Sequence, residues 1–595
     1  MPMCYRDGIV GLLNAVEDGS PWPSQLLTAF CHPLPKHSSA AAVGDYRPIV
    51  IMSMLYRSWS ALRSRSILAQ LRGVVGAGVV GFMPGRECGE IWHHVQALVE
   101  LAFQSQTKLT GVVSDVRKAF ESVPRSCLFM VARLLGLPDT LLSAWERFLS
   151  SFERHFVLHQ HFGASIPSNW GLPEGCGLSV VGMTLIDWCW DIYQKAFAPD
   201  TIPLSYVDNY EVLARSLGEL LTGFATLESF MELWSLDLDS AKTYFWSTSP
   251  ADRGALRSLG KSVCLQQADL GGAMTYCRRT GLGAQQARLD SLRPLWSRLR
   301  RSAAPLQIKF QLLRQGFWSK AFHAIGITLL PFRHIDHLRT QAVRALGFGL
   351  AGANPAIRLS LLCDDMQTDP GFFQVVRVLA DFRRFARKTD DILRLWQDFV
   401  HHFDGKLLSG PFSKLYEIFE QLEWSILEPP WFLDHDQCCW DLLSVASGTL
   451  HDLLRDAWCQ RLARGVSHRQ DFSDLNGLTW PPSRHEKRLS LVDVASINAI
   501  REGAFYVGST QGKFDFKKGS LCPLCQQVDT VAHRCLSCPA LIAARAQHGG
   551  IISGVVHPSS IFVGTLVAIS QSLVCSSQAC FVGSPRQYAV FPGLG

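Results

Sequence analysis

A chain of 595 residues is too long for one hydrophobic core, and its 47 % hydrophobic and 18 % charged residues exclude a disordered chain. Length alone points to about three or four domains or subdomains. The formal net charge of +6 is too small to define a basic protein as a whole, so any nucleic-acid surface has to come from where the charge sits.

In chain order, residues 1–110 mix helical patterns with Gly/Pro turns. Leu55, Trp59 and Leu62 recur at helical spacing, with Arg57, Arg63 and Arg65 pointing elsewhere. Residues 111–276 alternate β-like runs, TGVVSDV, IPLSYVDNYEVLA and TYFWST, with helical ones such as LLSAWERFL and LSVVGMTLIDWCWDIYQ, which predicts a mixed α/β domain. Residues 280–500 read as mainly helical. At their start, residues 288–320 carry Arg288, Arg293, Arg298, Arg300, Arg301, Lys309, Arg314 and Lys320 against Asp290 alone, while the other 49 bases and 50 acids balance. Interleaved with Trp296, Phe310, Phe317 and Trp318, this strip suits a surface that follows phosphates, or else a solvated face whose aromatics are core. The stretch IFVGTLVAISQSLVC (561–575) is about five residues short of a membrane span and contains Ser and Gln, so no membrane is expected as a partner. No internal repeat stands out.

Two places carry chemistry. In LSYVDNY (204–210), Leu204, Tyr206 and Asp208 share one face of a strand, and Asp-Asn is turn material, so a tight hairpin is expected to present the Asp208 carboxylate at its tip. A lone turn Asp is commonly no more than a turn former. The partner that would make it a site is Asp115, which ends the β-like run GVVSD before a helical turn. Two carboxylates at strand ends repel unless a cation lies between them, and oxygen ligands select Mg²⁺ or Mn²⁺. The second place is CPLCQQVDTVAHRCLSC, where Cys522, Cys525, His533 and Cys538 have the spacing C-x2-C-x7-H-x4-C of a closed, structural Zn²⁺ site, with Cys535 as a substitute ligand inside the cluster. Chance clustering among 18 scattered cysteines is the bland alternative.

An ordered series of motifs, LPK with YRPI (Lys36, Tyr46 to Ile49), GFMPGREC (81–88), SDVRKAFESVP (114–124), GLPEGCGLS (171–179), YVDN (206–209), LDLDSAKT (236–243) and LGG (270–272), resembles the reverse transcriptases of non-LTR (LINE-type) retrotransposons. The resemblance implies an α+β right-hand polymerase. Its parts would be fingers at 1–110, a palm at 111–276, a helical thumb at 277–350, a helical connection at 351–510, a CCHC zinc module at 511–545, and a tail at 546–595 of little information. It implies RNA-templated DNA synthesis, with RNA template, DNA primer or target, and dNTPs as partners and Mg²⁺ (or Mn²⁺) and Zn²⁺ as cofactors.

On the same ground Asp115 and Asp208 would carry the two metals, with Asn209 beside them. Lys242 would protonate the leaving pyrophosphate, and Lys36 and Arg47 would clamp the triphosphate. Phe120 would bar a ribose 2′-hydroxyl, and Glu174 and Gly175 would lie along the nucleotide. Two departures stand out: Asn209 replaces the usual second Asp, and Glu174 the usual Gln. They leave open a catalytically silent, nucleic-acid-binding derivative, with Glu211 or Glu174 as candidates to make up the missing charge. A maturase of the group II intron type shares the palm motifs but not the zinc spacing. Without a basic and then apolar leader in MPMCYRDGIVGLLNAVEDG, an intracellular location, nucleus and cytoplasm, is expected. Lacking an endonuclease-like region, the chain reads as a fragment or decayed copy of a longer element.

Overall fold

The structure is a computed structural model that describes residues 3–36, 39–158, 161–278, 283–327, 330–347, 354–361, 366–388, 390–467, 520–529, 533 and 538–543. Cys535, the stretch 561–575 and the tail 546–595 lie outside the described residues. The chain divides into two compact units, Met1–Gly281 with Arg394–Phe412, and Leu282–Leu393 with Ser413–Gly595.

The first unit begins with α1 (Met3–Glu17), β1 (Thr28–Pro35), β2 (Tyr46–Ile51), α2 (Met54–Leu71) and α3 (Gly89–Gln104). It continues through β3 (Thr110–Asp115), the single turn α4 (Ala119–Ser122), α5 (Arg125–Leu134), α6 (Asp139–Ser151), the β4–β5 hairpin (Glu153–Leu158, His161–Pro167) and α7 (Gly177–Phe197). The β6–β7 hairpin (Ile202–Tyr206, Asn209–Ala214), α8 (Leu217–Leu233), β8 (Tyr244–Ser247), α9 (Pro250–Ser258) and the β9–β10 hairpin (Gln266–Asp269, Gly272–Thr275) follow. The strands form two four-stranded sheets, β2-β1-β4-β5 and β6-β7-β3-β8, the second entirely antiparallel.

Helix α7 is apolar nearly all round, so it is buried rather than amphipathic: Leu178, Val181, Leu185, Ile186 and Trp190 all lie in the core. With α8 it covers one face of the second sheet, where Trp190 meets Tyr210 edge-on at 4.9 Å and Phe224 meets Phe245 at 5.1 Å. Ser216 and Glu219 cap α8 reciprocally, which fixes where the helix leaves β7. Helix α2 packs on α7 so closely that a Cβ on Gly177 would stand 2.6 Å from the Ala61 nitrogen.

The apolar face expected of α2 is corrected. Tyr56, Trp59, Ser60, Ser64, Leu68 and Leu71 are buried, while Leu62 is 64 % exposed. Ser60 and Ser64 sit on the inner stripe because the helix approaches α7 too tightly for leucine there. Arg63 instead turns back to Glu17, at 2.6 Å.

The second unit is helical, as expected, but it also holds a three-stranded sheet of Ser425–Ile426, Trp431–Leu433 and Cys439–Asp441 around buried Phe432. The aromatics of the basic strip are core and not a stacking platform: Phe310, Phe317 and Trp318 are buried, and Trp296 lies 4.3 Å from Phe317. Arg293, Arg298, Arg300 and Arg301 stay exposed on the helix Arg293–Arg301. Arg288, Lys309 and Arg314 are less exposed than these four. Arg288 is half-buried and donates to the His323 carbonyl at 2.6 Å, so it is anchored to protein. No described helix is long and apolar enough to cross a membrane.

Candidate active site

Strand register builds the centre of the site. β3 pairs with β7 so that Asp115 stands directly opposite Asn209, and Asp208 occupies the two-residue turn between Tyr206 and Asn209. Val207 in that turn has φ +65°, a left-handed conformation that a β-branched residue adopts only under constraint. The constraint comes from both sides: Val80 N–H donates to the Ser205 carbonyl at 3.0 Å, and Val116 N–H donates to the Asp208 carbonyl at 2.8 Å. The hairpin expected from LSYVDNY is therefore present, and its acid lies beside the end of β3.

The segment 236–243 adds a cation. Arg117 N–H donates to the Asp237 carbonyl at 2.8 Å and Asp239 N–H to the Asp115 carbonyl at 2.7 Å, which places Lys242 Nζ 2.7 Å from Asp115 Oδ1. The two acids also act on each other electrostatically. Burial, and then the charge of Asp115, push the half-buried Asp208 carboxyl above the usual carboxylate range, against Lys242 and Arg47. The hydrogen bond to Asp115 holds the Lys242 ammonium above its ordinary value. A corner offering two carboxylates and no soft ligand suits a hard divalent cation such as Mg²⁺ or Mn²⁺.

The remaining predicted residues surround this corner. Arg47, on β2, is exposed, with Nε 4.0 Å from Glu174 Oε2, and its charge reaches Asp208. Lys36, at the end of β1, donates to the Gly44 carbonyl at 3.0 Å. Burial raises Glu174, Arg47 and Lys36 oppose that, and Glu121 and Asp208 reinforce it, so Glu174 brings a further negative charge toward Asp208. Gly175 has φ +113°, and a Cβ there would lie 2.5 Å from the Val50 carbonyl oxygen, so only glycine fits between this loop and β2. Phe120 is half-buried, its ring 6.4 Å from that of Phe82, and its carbonyl accepts from Leu172 N–H at 2.6 Å, tying α4 to the Glu174 loop.

Glu211 is not available to replace a missing charge. It is fully buried against Asp269, on a strand whose residues are all buried, so both faces of the sheet are enclosed there. Burial, and then Asp269, drive its carboxyl well above the usual range. Sequence reasoning missed Asp269 altogether. Asn209 Nδ2 donates to Asp269 Oδ1 at 3.0 Å, a contact between hairpins 60 positions apart for which no spacing rule exists. It also missed Asp187 on α7, buried beneath the turn and accepting from Tyr210 Oη at 2.8 Å, and Arg125. The Arg125 guanidinium braces the loop before Glu174 through the Gly171 carbonyl at 2.7 Å and Ser168 Oγ at 2.7 Å.

In the second unit, the ligand atoms of Cys522, Cys525, His533 and Cys538 all lie within 4.8 Å of one another. Cys525 Sγ is 3.0 Å from His533 Nε2, and Cys538 Sγ is 3.7 Å from Cys525 Sγ. Gln526 N–H donates to the Cys522 carbonyl at 2.8 Å, closing the tight turn that C-x2-C spacing requires. Two cysteines from one turn, with His533 and Cys538, offer the soft, four-ligand set of a tetrahedral zinc centre.

Residues 34–329 match the family model described as reverse transcriptase (RNA-dependent DNA polymerase), and the chain carries a reverse transcriptase domain over that span. The matched span contains every residue of the carboxylate corner. Among curated proteins, none matches the sequence. Solved structures with similarity include apo telomerase from Candida tropicalis truncated of its C-terminal domain (10 % identity, TM-score 0.34), of which the match covers 54 % and which covers 43 % of this chain. Apo telomerase from Candida tropicalis gives 10 % identity and TM-score 0.34, with 67 % of this chain and 73 % of that one covered. Telomerase from Candida albicans in complex with a TWJ fragment of telomeric RNA gives 10 % and 0.35, with 69 % and 68 % covered. At such TM-scores the likeness adds nothing to the family match.

Proposed function

We propose that this chain is an RNA-directed DNA polymerase of the non-LTR retrotransposon type, adding deoxynucleotides to a nucleic-acid primer on an RNA template. One observation carries this reading. Asp115 and Asp208, 93 positions apart in sequence, meet at the end of one sheet with Lys242 bonded to the first of them. Asp115 and Asp208, with the Asn209 carbonyl oxygen, would hold two Mg²⁺ ions, which when bound neutralise phosphate charge and make the primer 3′-hydroxyl easier to ionise.

The chain's own residues do the rest. Arg47 and Lys36 bind the triphosphate, Arg47 leaving Glu174 to do so through its planar fork. Phe120 fills the space a ribose 2′-hydroxyl would need. Lys242, kept protonated by Asp115, carries the proton that a leaving pyrophosphate takes up. The exposed arginines of the helix Arg293–Arg301 contact backbone phosphates without regard to sequence. Zn²⁺ held by Cys522, Cys525, His533 and Cys538 is structural, since four protein ligands leave no open position.

Primer extension on an RNA template tests the reading. The parent extends, and Asp115→Ala and Asp208→Ala each lose at least about 10³-fold in rate. A second reading, a silent nucleic-acid-binding derivative, draws on the neutral Asn209 and on the Arg47–Glu174 ion pair, which occupies the clamp. RNA binding by a parent that extends no primer selects it.

A further inference from the structure

Asn209 stands where a second acid is usual, and its surroundings account for the amide. Its side chain is 8 % exposed, and Nδ2 donates to Asp269 Oδ1 at 3.0 Å. Asp269 is 4 % exposed and closes β9, just before a turn in which Leu270 and Gly271 both have positive φ, at 44° and 81°. The hairpin is seated firmly: a Cβ on Gly272 would lie 2.7 Å from the Trp92 ring of α3. A carboxylate only accepts hydrogen bonds, so it decides which end of the amide faces it. Asn209 Oδ1 is left buried without a partner, on the strand position directly across from Asp115.

We propose that Asp269 is a positioning residue. It captures the Asn209 amide nitrogen and so leaves the carbonyl oxygen as the end that can join Asp115 and Asp208 around a divalent cation. An aspartate at 209 would put its carboxylate against that of Asp269 in a buried place, with the amide donor that now joins them removed. The second acid of the usual pattern is thus excluded here by Asp269 and not merely lost. The proposal rests on the polymerase reading of the site.

The test compares the full-length parent, Asn209→Asp, Asp269→Asn and the double exchange by thermal melting and by Mn²⁺ binding followed in electron paramagnetic resonance, neither of which needs turnover. Asp269→Asn keeps an acceptor for the Asn209 amide and is the folding control. Asn209→Asp alone is expected to melt several degrees lower and to bind Mn²⁺ no more tightly than the parent. The double exchange restores a donor–acceptor pair, recovers the melting temperature, and binds Mn²⁺ about fivefold more tightly because the site gains a charged ligand. An Asn209→Asp protein that melts like the parent and tightens Mn²⁺ binding by itself overturns the proposal. So does a double exchange no better than the single one. A parent that binds no Mn²⁺ overturns the polymerase reading and with it the ligand role of Asn209, whereas Mn²⁺ binding without the rescue overturns the proposal alone.

Discussion

The carboxylate corner and the Cys/His cluster gather their ligands by opposite routes. Lys242 and Asp115 are 127 positions apart and are joined only because β3, the β6–β7 hairpin and the segment 236–243 are laced together by backbone hydrogen bonds. Cys522 and Cys538 are only 16 positions apart, with Sγ atoms 3.9 Å from each other. The corner is therefore preformed by a sheet with its own hydrophobic core, whereas among the described residues the cluster packs only its own cysteines together. A divalent cation at the first site would add chemistry to a finished fold. A zinc ion at the second would supply the folding energy itself.

This contrast can be broken in three places. The largest effect is expected at Lys242. Lys242→Ala should lower the rate of nucleotide addition about 10²-fold, with the melting temperature nearly unchanged, because the sheet holds Asp115 with or without its partner. Single-turnover extension beside thermal melting measures both, and a protein that loses rate only by unfolding would contradict the preformed site. The next effect falls on the cluster. The parent is expected to retain zinc in elemental analysis and Cys522→Ser to retain none and become sensitive to protease near residues 520–543, while melting of the first unit stays put.

The smallest effect carries the opposite sign. Asp208 has its carboxyl raised in the fold, by burial and by Asp115, so its ionisation costs stability. Its favourable contribution is complete below the unfolded value near about pH 4 and is lost as pH rises through the folded value. Asp208→Asn should therefore raise the melting temperature by about 2 °C at neutral pH, and the gain should vanish below about pH 4, while extension is abolished. A variant that melts lower at pH 7 would mean that the two acids are not in conflict.

Much of this was readable from residue order. The hairpin around Asp208 follows from alternation and turn chemistry, and the cluster follows from cysteine spacing, since both are local rules. The helical reading of α2 succeeded in type but not in face: Leu62 matches the period, yet close approach to α7 at Gly177 favours serines on the inner stripe. Arg288 looked like its seven basic neighbours because charge says nothing about which side of a helix is covered. Glu211, one strand position beyond Tyr210, looked able to replace a charge; whether it reaches the cleft depends on how far the sheet is enclosed, and β7 is buried along its whole length.

By itself, then, the order of residues determined the motif series, the turn that exposes Asp208, the ligand set of the cluster and the placement of basic charge, because each depends on neighbours a few positions away. Tertiary structure alone decided that Asp115 meets Asp208, that Glu174 is shared with Arg47, and that Asn209 is held by Asp269. Those contacts arise from strand register and from the burial of charge, and both are set by elements that only the folded core brings together.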